Sequence, residues 1–418
     1  MTERLLQYIW QFQYFNKANL ITLEDEVLQI IHPGIYNTNQ GPDFIDAKIK
    51  IGNTVWAGSV ELHINSSHWK NHKHSGDSNY KNVILHVVWQ QDIALQLPFS
   101  TLVLHDKISK VLLSRYNDLM NAGSFIPCEK TVHQINELVW LSWKERLVIE
   151  RLLNRSVIVF EYLKKNNNHW EETFWWMIAK NFGVKINSGA FEKIAQSIPI
   201  NILAKHKSQI HQLEALLLGQ AGLLNIDCTE DYPVMLQKEY RFLKSKYQLQ
   251  KAEAPLFFLR MRPANFPSVR LAQLAMLVHH STHLFSSIKE SKTVAEVKSM
   301  LNVTANDYWH YHYTLDEPSA FKTKKLGTQM IENILINTVV PVLFAYGIYH
   351  KDTILKNRSI NWLLEITAEK NAITNGFILL GVENKNAFDS QALIQLKNEY
   401  CNKKRCLDCA IGNKLFKT

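Results

Sequence analysis

The sequence predicts an α/β N-terminal region followed by a large, mainly helical region and a short cysteine-bearing tail. Three observations carry this expectation: apolar segments of period two up to roughly residue 105, apolar spacings of three and four residues through most of the rest, and three cysteines crowded near the end. The domain boundaries that follow are 1–106, 107–400 and 401–418.

The first segment, MTERLLQYIWQFQYF, reads as an amphipathic helix over roughly residues 3–16, because Glu3, Arg4 and several glutamines interrupt its apolar pattern. Strand-like runs come next: LITL, VLQII, DAKIKI, VWAGSVELHI, NVILHVVW and STLVLH. DAKIKI and VELHI alternate with period two, whereas VILHVV is apolar on both faces and suits a central strand. Gly34, Gly41, Gly52 and Gly58 punctuate these runs. Helical spacing begins with KISKVLLSRYNDLM and continues through ELVWLSWKERLVIERLLNRSVIVFEYL, WEETFWWMIAKNF, IHQLEALLLGQAGLL, KEYRFLKSKY, SVRLAQLAMLVHH, MIENILINTVVPVLFAYG and SQALIQLKNEY.

Bulk properties narrow the function classes. An apolar share of 46% over 418 residues is enough to build a core in each of two or three domains, which excludes disorder as the dominant state. No window holds the roughly 18–20 uninterrupted apolar residues of a membrane span, so no membrane partner is expected. A net charge of +9 and a pI near 9.1 favour an anionic partner, nucleic acid foremost. Five cysteines, unevenly placed, do not form a secreted disulfide framework; a reducing, cytoplasmic compartment is expected. Nucleotide-binding glycine loops and a nucleophile elbow are lacking.

The sharpest segment is QGPDFIDAKIKIGNTVWAGSVELHI. A Gly-Pro turn delivers Asp43 to the start of a strand, and the return strand ends in Glu61, Leu62 and His63. A three-residue hairpin loop would pair Ile51 with Val55, set Asp43 opposite His63 and Glu61 opposite Ile45, and so place Asp43, Glu61 and His63 on one face. A two-residue loop would throw Asp43 to the other face. Two carboxylates converging in this way suit Mg2+ or Mn2+, which could activate a water against a phosphodiester.

Downstream, His68, His72, His74 and His86 follow within a short stretch. His72 and His74 could ligate a transition metal or contact phosphate, or could sit in a solvated loop. His86 interrupts the apolar central strand and is either a satisfied core residue or a further metal contact. Lys81 is a candidate phosphate contact beside Tyr80.

The pattern Pro42-Asp43, hairpin, Glu61-Leu62-His63 resembles the PD-(D/E)XK nuclease superfamily, with His63 where that superfamily usually has lysine. The resemblance implies a restriction-endonuclease-like mixed sheet, a catalytic set of Asp43, Glu61 and His63, and DNA, before RNA, as substrate. Over nearly its full length, through NQGPDF, GSVELH, EALLLGQAG, RPANFPSVRLAQLA, NTVVPVLFAYG and CNKKRCLDCAIG, the chain also resembles a bacterial family catalogued only as a domain of unknown function. That second resemblance implies no activity.

Cys401, Cys406 and Cys409 form C-x4-C-x2-C, three thiols where a closed site needs four ligands. Cys128 is the expected fourth, with Cys228 or a histidine as the alternative, around Zn2+ or an iron–sulfur cluster. Arg260, Arg262 and Arg270 flank a helix start and could form an anion site for nucleic acid, or pair with acids such as Glu239. The function expected is a divalent-metal-dependent nuclease. Its rivals are a non-catalytic nucleic-acid-binding scaffold and a metal-dependent hydrolase of a small substrate.

Overall fold

The structure, a computed structural model, describes every residue except Lys73, Ala254, Arg260, Thr282 and Thr418. It divides into two compact units, Met1–Trp143 together with Lys397–Thr418, and Lys144–Leu396. The segment beyond residue 106 through Trp143, and the end of the chain, therefore belong with the sheet.

The first unit is built on a seven-stranded mixed sheet: β1 (Leu20–Ile21), β2 (Val27–His32), β3 (Ile35–Tyr36), β4 (Phe44–Ile51), β5 (Thr54–Asn65), β6 (Val83–Gln90) and β7 (Ser100–Val103). The order is β1-β2-β4-β5-β6-β7, with β3 pairing β4. The strands up to β5 run antiparallel, whereas β5, β6 and β7 are mutually parallel.

Helix α1 (Glu3–Phe12) is capped by the Thr2 hydroxyl, which accepts from the Leu5 N–H, and it stops at Gln13 in the left-handed region with φ 52°. It is thus shorter than its apolar pattern suggested. Its buried side chains, Leu5, Leu6, Tyr8, Ile9 and Trp10, share one core with Val60, Leu62, Leu85, Val87 and Leu102. Burying five such side chains is worth on the order of 10 kcal/mol before entropy is counted. That core takes the alternate residues of β5 and β6, so Glu61, His63 and His86 fall to the opposite face.

The hairpin differs from the register expected for it. Gly52 adopts φ +57° and the loop is of two residues, pairing Ile51 with Thr54 and Ala47 with Gly58. By itself this would turn Asp43 away from Glu61. A bulge between Phe44 and Ala47, with Asp46 at φ 57°, slips the ladder by one so that Phe44 faces Val60. Asp43, one residue before the strand, comes alongside Glu61, on the expected face but two residues from the expected partner.

Parallel pairing of β5 with β6 demands a crossover. It is made by helix α2 (His68–Asn71) and two short 3-10 turns, His74–Gly76 and Ser78–Tyr80. Its entry is pinned by Asp92, whose carboxylate accepts from Ser66 Oγ at 2.9 Å, the Ser67 N–H at 2.9 Å and Ser67 Oγ at 2.6 Å. These donors hold the Asp92 carboxyl below the ordinary carboxylate range. Helix α3 (Lys110–Asn121) adds Leu112 and Leu119 to the sheet core. The terminal helix Ala410–Lys417 adds Phe416 to the same core.

The second unit is helical throughout most of its length. Its centre is the helix Thr328–Tyr349, long and apolar enough to cross a membrane by length and composition yet mostly buried here among other helices. A π-helical turn over Leu335–Val339 interrupts it just before Pro341. Two of its buried charged groups have close partners. Lys144 Nζ meets Asp389 Oδ1 at 2.8 Å, and Glu214 Oε2 accepts from Tyr232 Oη at 2.7 Å and Trp309 Nε1 at 3.1 Å. Trp309 and His312 are both buried.

Candidate metal centre

On the sheet face away from α1, the parallel register sets Glu61 beside His86, with His63 two residues further along β5. All three are buried: Glu61 is 6% exposed, and His63 and His86 are 0% exposed. The crossover lays Trp69 and His74 over them, also buried, and leaves His72 exposed at the rim. Tyr80 stacks on His74 with ring centroids 3.9 Å apart.

The ligand atoms of His63, His72 and His74 lie within 4.8 Å of one another. His63 Nε2 is 3.2 Å from His72 Nδ1. Glu61 Oε1 joins them, 3.6 Å from His63 Nε2 and 3.5 Å from His74 Nε2. The buried His74 Nε2 makes no hydrogen bond. A buried imidazole nitrogen without a hydrogen-bond partner, facing two imidazoles and a carboxylate, fits a position held for a cation. Three nitrogens and one oxygen are the donors of Zn2+ or Mn2+; Mg2+ demands oxygen.

Behind this set, His63 Nδ1 meets His86 Nε2 at 2.9 Å. His86 therefore stands one shell behind the gathered nitrogens, bonded to one of them. Burial, followed by the neighbouring histidines, holds the His63 imidazole far below its usual range. Burial likewise holds His86 down at about 4. Both rings are neutral at physiological pH, which is the form that ligates a metal.

Asp43 borders the centre. Its backbone N–H donates to Glu61 Oε2 at 2.9 Å, its Oδ2 accepts from the Leu62 N–H at 3.1 Å, and its Oδ1 accepts from Gln7 Nε2 at 2.7 Å. Burial pushes the Asp43 carboxyl well above its usual range, and burial together with the neighbouring Asp43 does the same for Glu61. The Tyr80 phenol is pushed up to about 12, first by burial and then by Glu61 and Asp43, so its hydroxyl feels both carboxyls. Gln7, which anchors Asp43 from α1, carries no mark in the sequence that would single it out.

The structure thus brings Asp43, Glu61, His63, His72, His74 and His86 together. Lys81 is exposed on the same crossover. Arg262 and Arg270 belong to the second unit, and Arg260 lies outside the described residues. Arg270 is buried, with its guanidinium bonded to Asn265 Oδ1 at 2.5 Å and Gln273 Oε1 at 3.0 Å. Neither partner is an acid, so Arg270 does not make the alternative pairing with Glu239.

These features define a mixed-sheet protein with a buried cluster of histidines and carboxyls on one sheet face, roofed by the crossover between two parallel strands. The chain belongs to the family described as a protein of unknown function (DUF2851), whose model matches residues 3–372. No curated protein and no solved structure matches the chain.

Proposed function

We propose that this protein is a metal-dependent hydrolase of phosphodiesters, a nuclease acting on DNA before RNA, whose restriction-endonuclease-like sheet carries its ion on Glu61, His63, His72 and His74. The observation that carries the reading is the convergence of three imidazole nitrogens within 4.8 Å, with Glu61 Oε1 at 3.5 Å from His74 Nε2. Such an ion supplies Lewis-acid polarisation of a phosphoryl oxygen and a water acidic enough to attack it.

The chain's own residues do the rest. Glu61 contributes the anionic donor, and His86 orients His63 through their shared hydrogen bond. Asp43 sits against Glu61, held from two sides by Gln7 and Leu62, and keeps a second carboxyl fixed beside the reacting position. His72, exposed at the rim, leaves an approach for a chain too large to enter a closed cavity. The net charge of +9 supports a polyanionic substrate. The histidine-rich donor set also supports the second reading, hydrolysis of a small substrate, and it favours Mn2+ or Zn2+ over the Mg2+ that paired carboxylates alone would suit.

The test is hydrolysis of single- and double-stranded DNA and of RNA by the full chain, supplied in turn with Mn2+, Zn2+ and Mg2+. Cleavage that disappears in Glu61→Ala and Asp43→Ala, with the fold intact by circular dichroism, is the expected result. Cleavage persisting in both variants would assign the activity to another site or to a contaminant. Binding of nucleic acid without cleavage under any ion would favour a scaffold.

A further inference from the structure

Four of the five cysteines belong to the first unit, none of them in a disulfide. Cys128 precedes the 3-10 turn Val132–Gln134, and its carbonyl accepts from the N–H groups of Thr131 and Val132. Cys401 ends the π-helical turn Leu396–Cys401. Cys406 opens the 3-10 turn Cys406–Asp408, and Cys409 directly precedes the terminal helix. Cys406 and Cys409 are buried, and Cys128 packs against the sheet core that includes Cys406. The four are near enough to act on one another electrostatically: Cys401 feels Cys409, Cys128 and Cys406, and Cys128 feels Cys409 and Cys406. Cys228 has different company, Gln237 and the acids Asp227, Glu230 and Asp316 in the second unit.

We propose that Cys128, Cys401, Cys406 and Cys409 form a four-thiolate centre for a thiophilic metal, a zinc ion or an iron–sulfur cluster, and that its occupancy holds α1 in place. Burial, the largest influence, raises all four thiols above their ordinary range, so they stay protonated until a metal takes the proton's place, and the donors around them favour that exchange. Backbone N–H groups of Ile411 and Gly412, at the start of the terminal helix, bond to Cys409, with the Trp143 indole acting in the same direction. Donors aimed at a buried sulfur stabilise its anion, as does a helix N-terminus. Lys397 and Lys404 add positive charge beside Cys401 and Cys406. Gly412 lets the loop close: a Cβ there would stand 2.2 Å from the Cys406 carbonyl oxygen. Four thiolates left in so dry a place would repel one another strongly, and a bound cation removes that cost.

The chain from Cys406 into the terminal helix also grips α1. Asp408 Oδ1 accepts from Arg4 Nη2 at 2.6 Å, Asn413 Oδ1 accepts from the Tyr8 hydroxyl, and the rings of Tyr8 and Phe416 lie 5.7 Å apart. Between Arg4 and Tyr8 on the same helix is Gln7, the residue bonded to Asp43. Filling the cysteine centre thus fixes the tail, the tail fixes α1, and α1 fixes the carboxyl.

The experiment uses the full chain purified without oxygen, analysed for metals and acid-labile sulfide, with thiol alkylation before and after chelation. One zinc per chain, or iron with sulfide and a visible absorbance that bleaches on reduction, is expected. Cys228 should then alkylate at once and the other four only after the metal is stripped, with amide exchange in α1 accelerating at the same time. Cys406→Ser should lose the metal, and Cys228→Ser should keep it. Absence of both metals after reconstitution with zinc, or with iron and sulfide, overturns the proposal. So does alkylation of all five thiols at one rate in the untreated protein. Neither readout depends on hydrolytic activity, so the cysteine centre and the phosphodiesterase reading stand or fall separately.

Discussion

His63 and His86 share one hydrogen bond, Nδ1 to Nε2 at 2.9 Å, between two rings that are both fully buried. If His63 turns Nε2 to an ion, its Nδ1 carries the proton and donates to His86. Replacing His86 with phenylalanine keeps the ring volume and removes that acceptor. Affinity for Mn2+ or Zn2+, measured by titration calorimetry, should fall roughly 10–100-fold. Unaltered affinity would reduce His86 to a packing residue.

Glu61 and Asp43 should separate in their effects. Glu61→Gln removes the anionic donor 3.5 Å from His74 Nε2 and is expected to abolish ion binding. Asp43→Asn still offers an oxygen to the Leu62 N–H or to Gln7, so ion binding should persist while hydrolysis is lost. Equal loss of ion binding in the two variants would move Asp43 into the ligand set.

Gly58 sits where β5 meets the start of β6. An added Cβ would lie 2.5 Å from the Asn82 carbonyl oxygen and 2.6 Å from Ile84 Cγ2, so Gly58→Ala should cost roughly 1–3 kcal/mol in denaturant unfolding. Gly189, inside the helix Val184–Ser197, has open space at the same position. Gly189→Ala should be neutral or stabilising by up to about 1 kcal/mol. A reversed ranking of the two variants would contradict the parallel pairing of β5 with β6.

Glu214 gives a pH signature. Burial raises its carboxyl from 4.5 to about 7, against the downward pull of Tyr232 and Trp309. The folded chain therefore keeps a proton that the unfolded chain releases above about pH 4.5. The stability this confers is complete below that value and is lost as pH rises to about 7, on the order of 3 kcal/mol in all. Glu214→Gln should flatten the fall, seen by comparing urea midpoints near pH 5 and near pH 8. An unchanged slope in the variant would show that Glu214 titrates normally.

Element type was legible because it depends on local periodicity. WEETFWWMIAKNF occupies the helix Trp170–Phe182, and each run from VLQII onward lies within a residue or two of a strand, although the short β3 (Ile35–Tyr36) had no run of its own. The pairing of Asp43 with Glu61 was less so. It depends on two irregularities, a two-residue loop at Gly52 and a bulge at Asp46, whose effects on facing cancel. Neither is readable from hydrophobic alternation, which keeps its phase only along an uninterrupted ladder. His72 and His74 looked like members of a polar loop for the same reason. Their loop is the crossover of a parallel strand pair, and only that topology folds it back over the sheet. A polar link rich in histidine, leading into a strand as apolar as VILHVV, is the pattern that would have marked it.

The first unit is made from two separated stretches, with Lys144–Leu396 lying between them along the chain. During synthesis, the sheet and its histidines emerge early and then wait tens of seconds for the residues that supply Asp408, Asn413 and three of the four gathered cysteines. A ribosome that stalls before Cys401 releases a product with the histidine cluster encoded but α1 lacking its clasp. Residues 397–418 thus complete a unit that residues 1–143 begin.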